Sequence, residues 1–146
     1  MARKVFFSFK YDDVHRAMNV RNSNVIASDK KSGFIDKADF EAVEKKGDKA
    51  IKDWIDEQLD GTSVTVVLIG ANTDKSRWVK YEIEQSIAKG NGILTIDISK
   101  IEDMNKKTTD CSNLRVKNAK HYLWNSNNGR ENLGTWVEAA AKAAGK

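Results

Sequence analysis

Apolar residues fall in short blocks along this chain, and the spacing within each block decides what it can form. The densest, Val64-Thr-Val-Val-Leu-Ile69, is mostly β-branched and is closed by Gly70. Such a run fits a central strand covered on both faces. The next block changes period. Val79, Ile83 and Ile87 recur every four residues over Arg77–Lys89, which is the repeat of a helix. Asp74 and Ser76 both stand where a cap would accept the helix's first free amides. On that helix Glu82 lies about 60° from Val79, at the border of the apolar stripe, with Trp78 one turn before it. The pair therefore sets a ring and a carboxylate together at the end of the sheet where parallel α/β folds bind ligands.

The remaining blocks supply the other elements. Val5–Phe9 predicts a first strand, followed by a turn in which Asp12 or Asp13 can cap a helix running to about Asn22 on Val14, Met18 and Val20. Arg21–Lys37 is irregular, with Val25–Ala27 or Gly33–Ile35 as a short edge strand. A loop of this length inside a domain is more often functional than idle. Lys37–Lys45 has helical character up to the break at Gly47. Asp48–Leu59 is a clear amphipathic helix with Ile51, Trp54, Ile55 and Leu59 on one face. Asp60-Gly61 ends it, and Gly90-Asn91-Gly92 ends the Trp78–Glu82 helix. Ile93–Ile98 is a further strand, Ser99–Asn118 a polar, lysine-rich surface excursion, and His121–Trp124 a last edge strand. A turn over Asn125–Gly129 leads to a helix over Leu133–Ala144 anchored by Leu133, Trp136 and Val137. Strands alternating with helices imply βαβ crossovers. The expected fold is a three-layer, flavodoxin-like α/β sandwich with a mostly parallel sheet of four or five strands, spanning residues 1–146 as one domain.

Composition narrows the function. With 40% hydrophobic and 32% charged residues in 146, the chain reads as a soluble globular protein able to bury a sizeable core. No apolar run approaches a membrane span and no leader precedes the first strand, so the expected location is the cytoplasm, with no membrane partner. One cysteine, Cys111, and two histidines argue against a disulfide or a zinc site, and no metal is expected. The net charge of +4 comes from interspersed Lys and Glu rather than a basic stripe, which argues against nucleic-acid binding. His15, His121 and Cys111 read as surface or incidental residues, Tyr122 and Trp124 as packing.

Several α/β chemistries are excluded by what is missing. The chain has no phosphate-binding Gly-x-x-x-x-Gly-Lys-Ser/Thr, no Gly-x-Gly-x-x-Gly after the first strand and no Gly-x-Ser-x-Gly elbow. Ile69-Gly70-Ala71 stands where a response regulator needs its acceptor aspartate. On spacing alone Glu82 is either a solvated carboxylate paired with Lys75 or Lys89, or the one candidate for chemistry at this end of the sheet.

Ser76-Arg-Trp-Val-Lys-Tyr-Glu82-Ile resembles the Ser-x-Trp-x-x-x-Glu motif of Toll/interleukin-1 receptor (TIR) domains. Val5-Phe-Phe-Ser-Phe9, with Asp12 following, resembles that family's first box. Val5–Ile98 as a whole looks most like the TIR-like proteins of bacterial Thoeris antiphage defence. The chain departs from the family at Lys4, where an acidic residue often begins the box. It also departs at Lys31–Asp36, where classical TIR domains carry Arg-Asp-x-x-x-Gly. The resemblance implies an enzyme that breaks the nicotinamide–ribose bond of NAD and makes a cyclic ADP-ribose-type signal for a separate effector protein. NAD would be substrate, with no further cofactor, and self-association would accompany activity. It further implies Glu82 as the catalytic carboxylate, Trp78 as a stacking or pocket-wall residue, and Ser8, Phe9 and Lys10 facing the dinucleotide. Asp36 is a turn residue that could also reach the ribose or adenine. Two other readings stay open: a non-catalytic flavodoxin-like interaction module, and an N-glycosidase resembling nucleoside deoxyribosyltransferases.

Overall fold

A computed structural model of the chain describes residues 4–21, 31–32 and 37–146. Its five strands are β1 (Val5–Ser8), β2 (Lys31–Ser32), β3 (Val64–Ile69), β4 (Gly92–Asp97) and β5 (Lys120–Leu123). All pair in parallel, in the order β2-β1-β3-β4-β5. The five helices are α1 (Val14–Arg21), α2 (Lys37–Glu44), α3 (Asp48–Leu59), α4 (Arg77–Lys89) and α5 (Gly129–Ala143). The chain moves outward from β1 to β2, then returns past β1 to β3. The order therefore reverses between β1 and β3, and ligands of open α/β sheets bind beyond the strand ends at such a point. The flavodoxin-like α/β expectation holds. The two stretches expected to supply the edge strand, Val25–Ala27 and Gly33–Ile35, lie outside the described residues.

Side-chain alternation along the strands builds the two outer layers. Val5 and Phe7, Val64, Val66 and Leu68, and Leu94 and Ile96 pack with Ala17 and Val20 of α1 and Leu133, Trp136 and Val137 of α5. On the other face Phe6 meets Ile51, Ile55 and Leu59 of α3, while Val67 and Ile69 meet Val79 and Ile83 of α4. Every residue of β3 is buried, as its unbroken apolar run requires. The excursion over residues 99–118 has no regular element, yet it is not a free surface loop. Cys111, Leu114 and Val116 pack on the Val67–Ile83 cluster, and the Ser112 amide donates to the Gly70 carbonyl at 2.9 Å.

Some details differ from the sequence reading. Ile87 is 57% exposed, because only Val79 and Ile83 of its stripe reach the sheet. Helix α1 is entered through a 3-10 turn at Tyr11–Asp13, and Asp13 is buried rather than a solvent-facing cap. Helix α5 starts at Gly129, four residues early. His121 is half-buried, its Nδ1 2.8 Å from the Thr95 hydroxyl, so it is not an unpartnered surface residue. Among the described residues no helix is long and apolar enough to cross a membrane.

Gly92 begins β4 directly beneath α5, where an added Cβ would overlap the Ala140 carbonyl. Backbone cannot step aside as a side chain can, so Gly92→Ala must lift α5 from the sheet. A loss of about 2 kcal/mol is expected, in the range of overpacked cores, read as a lowered denaturation midpoint in urea.

Candidate active site

The site begins with the alternation of β1. Phe6 and Ser8 point to the side where α3 and α4 lie, and Ser8, the last strand residue, is fully buried there. Helix α4 is fixed in phase at both ends. Ser76 caps it, its Oγ accepting from the Val79 amide at 3.2 Å, and Gly90 closes it in a left-handed conformation with φ 81°. A chain of hydroxyls pins its middle to β3. Ser86 Oγ donates to the Glu82 carbonyl at 2.7 Å and lies 2.7 Å from Thr65 Oγ1. Asn91 Nδ2 donates in turn to Thr65 at 3.3 Å and to Thr62 at 2.9 Å.

Held this way, α4 turns Glu82 inward to β1. Ser8 Oγ donates to Glu82 Oε1 at 2.7 Å, across 74 residues of sequence. Glu82 is only 8% exposed, and among the described residues no Lys or Arg forms a salt bridge with it. Lys89, one of the expected partners, instead lies 3.9 Å from Asp60. Burial without a compensating cation pushes the Glu82 carboxyl up to about 8, the Ser8 hydrogen bond pulling more weakly the other way. The group is therefore mostly neutral at pH 7 when the cleft is empty.

Glu82 forms the floor of a cleft of about 170 Å³. Phe9, Lys10, Tyr11 and Asp12 from the loop after β1 form one wall, and Glu44, Trp54, Ile55, Ser76 and Trp78 complete the rest. The Lys10 ammonium pairs with Asp12. Trp78 is clamped: the Arg77 guanidinium stacks 4.5 Å above its ring while binding Asp48 at 2.9 and 3.1 Å. Tyr81 meets the Trp78 ring edge-on at 6.1 Å. A carboxyl beside a rigid indole, partly shielded from water, can bind a flat cationic ring and stabilise positive charge developing near Oε1 or Oε2.

Of the residues singled out from sequence, Glu82, Phe9, Lys10 and Trp78 meet in this cleft. Ser8 lies behind it, touching Glu82 rather than the open space. Asp36 lies outside the described residues. Sequence reasoning did not assign Tyr11, Glu44 and Trp54 to the site. Trp54 was legible only as one position on the apolar face of α3, and nothing in that pattern separates a core contact from a cleft wall. A larger groove of about 640 Å³ opens at the opposite end of the sheet, and its only charged linings are Lys117 and Lys120. It offers no carboxylate, whereas the smaller cleft contains Glu82. Cys111 is half-buried with its thiol pushed up to about 11 by burial and by Asp97, which favours the thiol over the nucleophilic thiolate. Among the described residues no three His, Cys, Asp or Glu side chains converge as a metal site.

The family model for the TIR-like domain of Thoeris protein ThsB matches residues 6–103. The chain belongs to that family. A curated relative from Bacillus cereus (strain MSX-D12), "Putative cyclic ADP-D-ribose synthase ThsB1", is 45% identical over 106 residues. That match covers 70% of this chain and 55% of the relative, so the shared region is little more than half the relative's length. The resemblance read from the first box and the Trp–Glu helix is borne out. The family match takes in β1 through β4, with both Ser8 and Glu82, and leaves β5 and α5 beyond it.

The buried carboxyl has a consequence for stability. Folded Glu82 holds its proton up to about pH 8, whereas an unfolded glutamate loses it near 4.5. Between those values the unfolded chain binds fewer protons, so stability falls as pH rises from about 4.5 to 8 and levels off above. Glu82→Gln removes this slope. The variant is expected to be more stable than the parent by on the order of 4 kcal/mol at pH 8 and nearly equal to it at pH 4.5, measured by urea denaturation.

Proposed function

We propose that this protein cleaves the nicotinamide–ribose bond of NAD, using Glu82 as the catalytic carboxylate, and forms a cyclic ADP-ribose-type product. The observation that carries the reading is the buried Glu82 carboxyl, hydrogen-bonded by Ser8 and facing a cleft beside Trp78. Membership of the ThsB TIR-like family and the name of the Bacillus cereus relative support the substrate.

The chemistry follows from charge. In NAD the nicotinamide nitrogen is cationic, and the C1′–N bond breaks with its electron pair leaving on nicotinamide, which becomes neutral. Positive charge then moves onto the ribose C1′ and ring oxygen. A cationic ring entering the cleft favours the ionised form of Glu82, and the carboxylate stabilises the oxocarbenium-like transition state in a site that excludes water. Trp78, held by Arg77, walls the ribose–nicotinamide end. Ser8 holds the carboxylate in place. Phe9 and Lys10 face the remainder of the dinucleotide, and Asp36 would add a contact to its ribose or adenine. Attack on C1′ by a nucleophile of the same molecule gives a cyclic product, whereas attack by water gives ADP-ribose. In this reading the reaction takes place in the cytoplasm during antiphage defence, self-association accompanies it, and a separate effector protein senses the nucleotide.

Purified protein should release nicotinamide from NAD, and Glu82→Gln should lower that rate by about a thousandfold, as expected for loss of the one group aimed at the developing charge. The pH profile of kcat/KM reports the free enzyme, so activity should rise with pH through about 8. Ser8→Ala removes the hydrogen bond that favours the carboxylate and should move that limb to higher pH. Release that survives Glu82→Gln would overturn the mechanism, and base exchange on a deoxynucleoside without NAD cleavage would favour a deoxyribosyltransferase.

A further inference from the structure

Arg16 lines no part of the cleft, yet it is one of the few buried charged side chains among the described residues, at 8% exposure. Its guanidinium is directed largely at backbone. Nε donates to the Ile101 carbonyl at 2.8 Å, and a terminal nitrogen donates to the Lys107 carbonyl at 3.0 Å. The other terminal nitrogen lies 3.7 Å from the Asp13 carboxylate, and Asp103 lies 3.8 Å from the guanidinium. Asp13 is itself 6% exposed and is wedged against Gly70, where an added Cβ would overlap its carboxylate. Its amide closes the 3-10 turn by donating to the Lys10 carbonyl at 2.8 Å. Gly70 is held from the other side, donating to Thr73 Oγ1 at 2.8 Å and accepting from the Ser112 amide at 2.9 Å.

One buried pair thus joins three loops: the one after β1, the one after β3 and the one after β4. The first of these, Phe9–Asp12, is a wall of the cleft. We propose that Asp13 and Arg16 are positioning residues that hold this wall in its substrate-ready place, Asp13 by packing against Gly70 and Arg16 by its hydrogen bonds to the Ile101–Lys107 loop. The kinetic part rests on the NAD reading; the structural part does not. The charge-assisted bonds from Arg16 to the Ile101 and Lys107 carbonyls fix geometry, and removing Arg16 leaves Asp13 buried without its nearest cation. A wall released in this way is competent only part of the time. Apparent affinity falls by that fraction, while saturating substrate restores the competent state, so KM rises and kcat holds. A pair that served only overall stability would leave KM unchanged in the molecules that fold.

The test compares the whole chain with Arg16→Met and Asp13→Asn. Amide hydrogen exchange is followed without NAD, and nicotinamide release is measured at varied NAD. Arg16→Met should speed exchange about tenfold in both Phe9–Asp12 and Ile101–Lys107, raise KM about tenfold and leave kcat within about twofold. Asp13→Asn keeps the volume and leaves Arg16 on its two carbonyls. It should speed exchange in Phe9–Asp12 with a smaller change in Ile101–Lys107, and raise KM likewise. Unchanged exchange at Phe9–Asp12, or a fall in kcat at constant KM, would overturn the proposal. Should Arg16→Met fail to fold, Asp13→Asn decides. If the unsubstituted protein releases no nicotinamide, the NAD reading fails, and the exchange data still decide whether the pair holds the wall.

Discussion

The cleft depends on a carboxyl that is buried by packing and accepts a hydrogen bond from the Ser8 hydroxyl. An ionised glutamate buried without a cation is costly, and a raised proton affinity is how a folded chain avoids that cost. Ser8 supplies just enough polarity to orient Glu82 without making its charge comfortable. The surrounding structure keeps that contact in register. The Ser76 cap and the Ser86–Thr65 contact fix the rotation of α4, and the parallel pairing of β1 with β3 fixes the depth of Ser8. A small rotation of α4 would return Glu82 to solvent, where it would be an ordinary surface carboxylate.

A neutral acid spares the free protein from burying a charge. In the proposed reaction a cationic substrate would bring the opposite charge as it displaces water and so favour the carboxylate. The aromatic wall meets the same need. Trp78 carries the Arg77 guanidinium over its ring, and Arg77 in turn binds Asp48. The family match covers the strand and helix that create this arrangement. The groove at the far end of the sheet is lined mainly from β4, which the match includes, and from β5 and α5, which lie beyond it.

The elements with strong local signals were legible in the sequence to the residue. Both Asp48–Leu59 and Arg77–Lys89 carry a four-residue apolar rhythm and an end signal in glycine, and β3 is an apolar run too short for a helix. Features set by distant contacts were not legible. Asp13 reads as a cap until Gly70 and Arg16 close around it. The start of α5 depends on Asn128 in a left-handed conformation and on Gly129 seated under the Trp124 ring, neither of which periodicity shows. Glu82 was legible as a residue on the edge of an apolar stripe, and the motif around it suggested chemistry. Its burial comes from the packing of α4 on the sheet, and its hydrogen-bond partner, Ser8, is 74 residues away. The walls contributed by Tyr11, Glu44 and Trp54 were hidden for the same reason.

The central claim is that Glu82 is a proton-holding carboxyl at the floor of the cleft. Carbon-13 NMR of protein labelled at the glutamate side-chain carboxyls measures this directly. One resonance should titrate near pH 8, far above the others, and be absent from Glu82→Gln. Addition of NAD should move its midpoint downward as the cationic ring enters. A Glu82 resonance titrating near 4.5, or one that does not respond to NAD, would contradict the account.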